Sequence, residues 1–193
     1  MEETRVFVGK GSIPHPDIKN VLYTPEQIQQ RLAVLGKHLS NLYRDKSPLY
    51  VCVLKGAFVF LADLVRFVDG QVEVDFVAVS SYGDQDRSSG VVRMVKDLSI
   101  SVEGRDVILV EDIIDSGRTL DYLLDLLRGR RVSSLRVVSL LVRLDCRGIE
   151  IPSEDYGFLL TEDSGFVVGY GLDYAGRYRN LPYIGNLKPG VIR

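Results

Sequence analysis

The stretch Val107-Ile108-Leu109-Val110-Glu111-Asp112-Ile113-Ile114-Asp115-Ser116-Gly117-Arg118-Thr119-Leu120 joins an apolar run to two acids, a third acid and a glycine. Its four leading apolar residues are typical of a strand buried on both faces of a parallel sheet. Beyond it, leucines recur at helical spacing from Leu120 to Leu127. The stretch therefore predicts a buried strand, a tight turn and an amphipathic helix.

The turn has the properties of a phosphate site. Backbone N–H groups at the start of a helix attract phosphate together with the helix dipole, and Gly117 allows a close approach because it has no Cβ. Phosphate alone does not explain Glu111 and Asp112, but carboxylates accept hydrogen bonds from vicinal hydroxyls and can hold Mg²⁺. A sugar phosphate with free ribose hydroxyls and a metal ion would satisfy every group. The alternative is that Asp115 or Ser116 only caps the helix, which leaves the two acids unexplained.

The same stretch resembles the signature with which type I phosphoribosyltransferases bind phosphoribosyl pyrophosphate (PRPP). It lacks the Gly-Lys-Ser/Thr of a Walker A loop and the Gly-x-Gly-x-x-Gly of a dinucleotide site. The resemblance implies that Glu111 and Asp112 bind the ribose hydroxyls and the metal ion. It also implies that one run of residues binds the 5′-phosphate: Asp115, Ser116, Gly117, Arg118 and Thr119. Because Asp115 could face N7 of a purine, we predict that it is also the catalytic proton-transfer residue.

Composition limits the class of protein. The 193 residues are 46% hydrophobic and 26% charged, with a net charge of −2, which argues against nucleic acid as an obligatory partner. The basic run 128–131 is local and fits a solvated helix end. The longest apolar region, 49–65, contains Lys55 and Asp63 and does not predict a membrane span. The start does not resemble a signal peptide, and the cysteines have neither metal-ligand nor disulfide spacing, so a cytoplasmic protein is expected.

The rest of the chain alternates strand and helix patterns, which predicts an α/β fold: a parallel sheet with helices on both faces. A helix should begin at Thr24-Pro25, where Thr24 and Gln27 form a capping box. His38 lies off its apolar stripe and is predicted to be a surface side chain. The apolar stripe of this first helix consists of Ile28, Leu32, Leu35, Leu39 and Leu42. Strands are predicted at 49–54, 72–79, 91–98 and 135–142, and further helices at 57–68 and from Leu120 to about 130.

Two further segments match the same family. Lys55-Gly56 lies where a strand meets a helix, where ligands of open α/β sheets bind, although a solvated lysine in a turn would look the same. Leu54-Lys55-Gly56 resembles the family's pyrophosphate loop, in which the Leu-Lys peptide is typically cis. The polar segment 80–93 is either a simple loop or a lid that excludes water from the reaction. Ser81-Tyr82 resembles the residue pair that closes over the site in hypoxanthine-type phosphoribosyltransferases.

The residues 166–174 and 179–183 closely match the C-terminal part, here called the hood, of bacterial hypoxanthine-guanine phosphoribosyltransferases. The resemblance then covers nearly the whole chain from about residue 20, as one domain with a core at about 20–145. The hood would comprise about 146–193 with N-terminal residues. Tyr170 and Tyr174 are interpreted first as core residues of this part.

The hood resemblance implies a purine site. Phe166 would stack on the base, and the backbone of Val167 would read its edge. Asp173 would lie at the base and help to hold Mg²⁺–pyrophosphate, while Arg179 would contact pyrophosphate. Arg143 falls where the family has a lysine that reads the purine 6-oxo group, and this is a departure from the family pattern.

The resemblance implies transfer of the phosphoribosyl group from PRPP to a 6-oxopurine, with Mg²⁺ as cofactor, by a homodimer or homotetramer. The segment between residues 143 and 166 is about two residues longer than usual, so its loop is expected to differ. Two alternatives remain: a nucleotide sensor that binds RNA, which would need a basic face, and a phospho-acceptor receiver, which leaves Ser-Gly-Arg-Thr unexplained.

Overall fold

The computed structural model describes residues 14–81, 92–143 and 151–192. The predicted lid residue Tyr82, most of the segment around it and part of the longer loop after Arg143 lie outside these ranges. The side chain of Ser81 is also outside the description. No helix within the described ranges is both long and apolar enough to span a membrane.

Three α-helices and nine strands make up the described chain. The helices are α1 Pro25–Leu42, α2 Phe58–Leu64 and α3 Arg118–Gly129. The strands are β1 Ile18–Tyr23, β2 Leu49–Leu54, β3 Glu73–Ser81, β4 Val92–Lys96, β5 Asp106–Ile114, β6 Ser134–Arg143, β7 Tyr156–Leu160, β8 Val167–Val168 and β9 Ile184–Leu187. Short 3₁₀ turns lie at Val65–Phe67, Ser153–Asp155, Glu162–Ser164 and Pro189–Val191.

The larger sheet has six strands in the order β4-β3-β2-β5-β6-β7. All neighbouring strands are parallel except β4, which runs antiparallel to β3 at one edge. The predicted α/β class with a mainly parallel sheet is confirmed, and β4 adds one antiparallel strand at the edge. An antiparallel edge strand needs only a hairpin connection, whereas a parallel strand needs a crossover.

Helices cover both faces of this sheet, as predicted. Helices α1 and α2 pack on one face in a cluster around Tyr50 and Cys52, and α3 packs on the other through Leu120, Leu123 and Leu127. Strand β2 is buried from Leu49 to Val53, so both faces of the sheet centre are apolar. The core therefore consists of two layers separated by the central strands.

Helix α1 begins as its sequence predicts. The Thr24 hydroxyl accepts the Gln27 N–H, and the Gln27 side chain accepts the Thr24 N–H. The stripe from Ile28 to Leu39 is fully buried, but Leu42 is 43% exposed because the helix ends there.

Two further expectations need correction. His38 is only 31% exposed and is not a free surface residue, because its Nε2 lies 3.3 Å from Oδ1 of the buried Asp155. The second predicted helix is shorter than the pattern indicates, since α2 ends at Leu64 and continues as a 3₁₀ turn.

A three-stranded antiparallel sheet, β1-β9-β8, lies beside the larger sheet. Strand β1 pairs with β9 across more than 160 residues of chain, so N-terminal residues join the C-terminal part. Strand β7 was grouped with the hood, but it pairs in parallel with β6 in the larger sheet. The amphipathic β7 supplies Leu160 to the core of that sheet.

Candidate active site

The predicted site residues gather at the carboxyl ends of three adjacent parallel strands. Strand β2 ends at Leu54, β5 at Ile114 and β6 at Arg143. The helix after β2 covers one face of the sheet and the helix after β5 covers the other. Ligands of open α/β sheets bind at such a switch point, because the diverging connections leave a crevice between the two strands.

The loop after β2 contacts the acid pair of β5. A Cβ built on Gly56 would lie 1.5 Å from Oδ2 of Asp112, so any larger residue would have to displace that carboxylate. The Leu54–Lys55 peptide is cis, as the resemblance implied. Lys55 is exposed at the mouth of this crevice.

The acid pair is more buried than the sequence indicated, because β5 continues past it to Ile114. Glu111 is 5% exposed, and burial, with the Asp112 charge adding to it, raises its pKa well above the usual range. Burial also raises the pKa of Asp112 to about 6; nearby Asp173 adds to this rise and Arg179 opposes it. The Glu111 carboxyl group is thus buried within the sheet, whereas the half-buried Asp112 carboxyl group lies against the loop after β2.

The turn after β5 presents backbone donors. Gly117 occupies the N-cap of α3 with φ +77°, a conformation that favours glycine. The first helical hydrogen bond runs from Asp121 N–H to the Gly117 carbonyl. Neither Asp115 nor Ser116 occupies the capping position, so the capping alternative does not account for them. Ser116 and Arg118 are exposed and Thr119 is half-buried around this helix start.

The hood contributes a turn that contacts the loop after β2. A Cβ on Gly171, at φ +101°, would lie 2.2 Å from the Gly56 carbonyl oxygen. Arg179 Nη1 donates to the Gly171 carbonyl at 2.6 Å, and Arg179 Nη2 pairs with Asp173 Oδ1 at 2.7 Å. Asp173 Oδ2 also accepts the Gly176 N–H. Arg179 and Asp173 are therefore held beside the predicted pyrophosphate loop.

Arg143 lies between the turn after β5 and the start of β8. Its Nε is 3.0 Å from Asp115 Oδ1, and its Nη2 donates to the Gly165 carbonyl at 3.1 Å. The Arg143 side chain is 19% exposed and the Asp115 side chain 66%. The Arg143 guanidinium, a hydrogen-bond donor, and the Asp115 carboxylate, an acceptor, therefore lie side by side at the mouth of the crevice.

Phe166 directly follows Gly165, the residue whose carbonyl accepts the hydrogen bond from Arg143. Its ring is 42% exposed and meets Tyr174 edge to face, with ring centroids 5.2 Å apart. Val167 is buried in β8, where it pairs with Asn186 of β9. The exposed Phe166 face is available for stacking on a flat ligand.

A magnesium ion fits this donor set only if a substrate supplies further oxygens. Among the described residues, no three His, Cys, Asp or Glu side chains are grouped closely enough to hold a metal ion. Asp112 and Asp173 are near enough for Asp173 to raise the pKa of Asp112. Mg²⁺ is usually bound through one or two carboxylates together with substrate phosphates and water, and these two carboxylates meet that requirement.

The structure thus brings the predicted residues of β2, β5, β6 and the hood to one edge of the sheet. Glu111 is the exception, since its carboxyl group is buried. The pairing of Arg143 with Asp115 was not predicted, because no spacing in the chain indicates it. The hydrogen bond between Asp63 and Tyr170 was not predicted either.

The fold and this edge define a phosphoribosyl transferase, and the chain belongs to the phosphoribosyl transferase domain family, which it matches over residues 22–175. It is 51% identical to the hypoxanthine-guanine phosphoribosyltransferase of Bacillus subtilis, over 91% of this chain and 96% of that protein. It is also 50% identical to the enzyme of that name from Mycobacterium avium, over 91% and 88% of the two chains.

A solved structure and a longer relative complete the comparison. The crystal structure of a hypoxanthine phosphoribosyltransferase from Staphylococcus aureus covers 96% of this chain and all of that chain, with a TM-score of 0.86 and 42% identity. The bifunctional protein TilS/HprT of Listeria monocytogenes is 50% identical over 95% of this chain, but the chain spans only 28% of that protein.

Proposed function

We propose that this protein is a purine salvage enzyme that transfers the 5-phosphoribosyl group of PRPP to hypoxanthine or guanine. The products would be IMP or GMP and pyrophosphate. The observation that carries the proposal is the Arg143–Asp115 pair, 3.0 Å apart, beside the helix start that can hold a phosphate. A 6-oxopurine offers an acceptor at O6 and a proton at N7 on neighbouring atoms, and this pair complements both. The names of the relatives from Bacillus and Mycobacterium point to the same substrates.

The turn after β5 would hold the 5′-phosphate. Ser116, Gly117 and Thr119 would donate hydrogen bonds at the start of α3, where the helix dipole favours an anion. Asp112, with Glu111 behind it, would accept bonds from the ribose hydroxyls. Ribose would then lie over the acid pair, between the phosphate turn and the loop after β2.

The hood and β6 would position the base. Phe166 would stack on one face of the purine, and Arg143 would donate to O6. As N9 forms its bond to C1′, the bond from C1′ to the pyrophosphate oxygen breaks. The proton on N7 then passes to the Asp115 carboxylate, and such a positioned base accelerates a reaction by roughly 10²–10⁴-fold.

The leaving pyrophosphate would lie between the loop after β2 and the hood turn. Lys55 and Arg179 would neutralise part of its charge, and the Gly56 backbone would lie against it. A bound Mg²⁺ would supply further neutralisation of the charge that develops on the leaving group. Asp112 and Asp173 are the residues that would hold it, together with substrate oxygens and water.

The test is steady-state kinetics of the purified protein with PRPP, Mg²⁺ and each of hypoxanthine, guanine, xanthine and adenine. Hypoxanthine or guanine should be the best substrate, and adenine at least about 10²-fold worse in kcat/KM, because its 6-amino group faces the guanidinium donors. Excess EDTA should abolish turnover. Equal use of adenine, or full turnover in EDTA, would contradict the proposal.

The assembly and cell compartment are proposed from family resemblance. We propose a homodimer or homotetramer in the cytoplasm. Light scattering coupled to size exclusion should give a mass of two or four chains. A single-chain mass at micromolar concentration would refute the assembly.

A further inference from the structure

A hydrogen bond outside the site joins the hood to helix α2. The Tyr170 hydroxyl donates to Asp63 Oδ2 at 2.6 Å, and Gln29 Nε2 of α1 donates to the same oxygen at 3.0 Å. Tyr170 is 5% exposed, and burial, with the bond to Asp63, raises its pKa above the usual range. The tyrosine is therefore a core residue, as predicted, whose polar end has a charged partner.

Tyr170 fixes the backbone of the hood turn. Its φ is +51°, a left-handed conformation that is uncommon for a large side chain. Its N–H donates to the Leu181 carbonyl at 2.8 Å, and the next N–H, of Gly171, donates to the Arg179 carbonyl at 3.0 Å. Arg179 returns a bond from Nη1 to the Gly171 carbonyl. A shift of Tyr170 must therefore move Gly171 and Arg179.

Asp63 lies near the end of the helix that follows the predicted pyrophosphate loop. That loop touches the hood through the Gly56 carbonyl, against which Gly171 packs. The hood turn is thus attached to one structural unit, the loop with α2, at two points. One is the backbone contact at Gly56, and the other is the Asp63–Tyr170 bond.

We infer that Asp63, acting through the Tyr170 hydroxyl, is a positioning residue for the pyrophosphate half of the site. The bond holds the hood turn so that Arg179 faces the loop at Gly56. This inference relies on the proposed function only for the identity of the ligand, pyrophosphate. It assigns no contact between Asp63 and substrate.

The test compares Tyr170→Phe, Asp63→Ala and Asp63→Asn with the unaltered protein. Tyr170→Phe removes only the hydroxyl, so PRPP KM and the Kd for pyrophosphate with Mg²⁺ should each rise about tenfold, the effect of losing a hydrogen bond to a charged group. KM for the base should change less than about twofold, since the ring and the purine wall are unaltered. Asp63→Asn keeps an acceptor oxygen, so both constants should stay within about threefold of those of the unaltered protein.

The matched control is Asp69→Asn. Asp69 is an exposed aspartate that follows α2 and its 3₁₀ turn, and it pairs with Lys37 at 3.4 Å. It should leave all constants unchanged. Calorimetric binding of pyrophosphate is independent of turnover, so it separates this inference from the proposed function. If the unaltered protein shows no turnover but its pyrophosphate binding depends on Tyr170, the proposed function is wrong and the inference stands. Unchanged pyrophosphate binding in Tyr170→Phe and Asp63→Ala, or none in the unaltered protein, would overturn the inference.

Discussion

Replacing Arg143 with alanine tests how the site selects a base. The Arg143 guanidinium is held at two points, Asp115 and the Gly165 carbonyl, and these engage two of its five N–H donors. Other donors of the fork are therefore oriented before a base arrives. The loss of one hydrogen bond from a charged group costs about 1.5–3 kcal/mol, or about 10- to 150-fold in kcat/KM. That loss should appear as a higher KM for hypoxanthine or guanine.

Stability should change much less than activity. The Asp115 carboxylate is 66% exposed, so water screens the ion pair and its contribution to folding is at most about 1 kcal/mol. Arg143→Lys should keep much of the activity, because an ammonium also donates to O6. Lysine lacks the planar fork, so it cannot reproduce both fixed contacts in the same geometry.

The assay is initial-rate kinetics in base and in PRPP, with a melting temperature for each variant. Arg128→Ala is the matched control, since Arg128 is an exposed arginine on α3 that pairs with Asp125 at 3.6 Å. Its kinetics should equal those of the unaltered protein. If Arg143→Ala also leaves base kinetics unchanged, Arg143 does not read the base and the complementarity argument is wrong.

Three other outcomes are expected. Asp115→Asn should lower kcat by about 10²–10⁴-fold with PRPP binding nearly intact; a collapse of PRPP affinity at unchanged kcat would make Asp115 a binding residue instead. Because the pKa of Asp112 is raised from 3.8 to about 6, the folded state holds this proton more tightly than the unfolded chain, so the free energy of unfolding should fall as pH rises from about 4 through 6. In urea unfolding at several pH values, Asp112→Asn should reduce that fall by up to about 3 kcal/mol, because one pKa unit corresponds to about 1.4 kcal/mol. Equal pH dependence in both proteins would exclude Asp112 as its source. Gly56→Ala should displace the Asp112 carboxylate and weaken PRPP binding, whereas Gly129→Ala, where a Cβ meets nothing within 4 Å, should not; similar PRPP affinity in both would contradict the close packing.

Local patterns predicted the elements whose causes are local. The capping box at Thr24 and the stripe from Ile28 to Leu39 determine α1, and the continuous apolar run of β2 identifies a strand buried on both faces. The signature stretch also predicted a strand, a turn and a helix, which the structure shows as β5, the turn after it and α3. Each of these signals lies within a few residues of the feature it specifies.

Features that depend on distant residues were not predictable in this way. The pairing of β1 with β9 depends on how the C-terminal part of the chain returns to a sheet edge. The burial of Glu111 follows from the extension of β5 beside β6, where it faces Ser139 in register. Arg143 and Asp115 are far apart in sequence but adjacent in space because β5 and β6 end side by side.

The contact between Gly56 and Gly171 limits how this protein could be redesigned. At this point core and hood meet through backbone atoms, and a Cβ on either residue would collide with Asp112 or with the Gly56 carbonyl. On the proposed pyrophosphate side, even an alanine at either glycine would therefore require Asp112 or the backbone at Gly56 to shift. Arg143 and Phe166 instead present partly exposed side chains, so their size can be varied. A library meant to change the accepted base should vary those two positions and keep both glycines fixed.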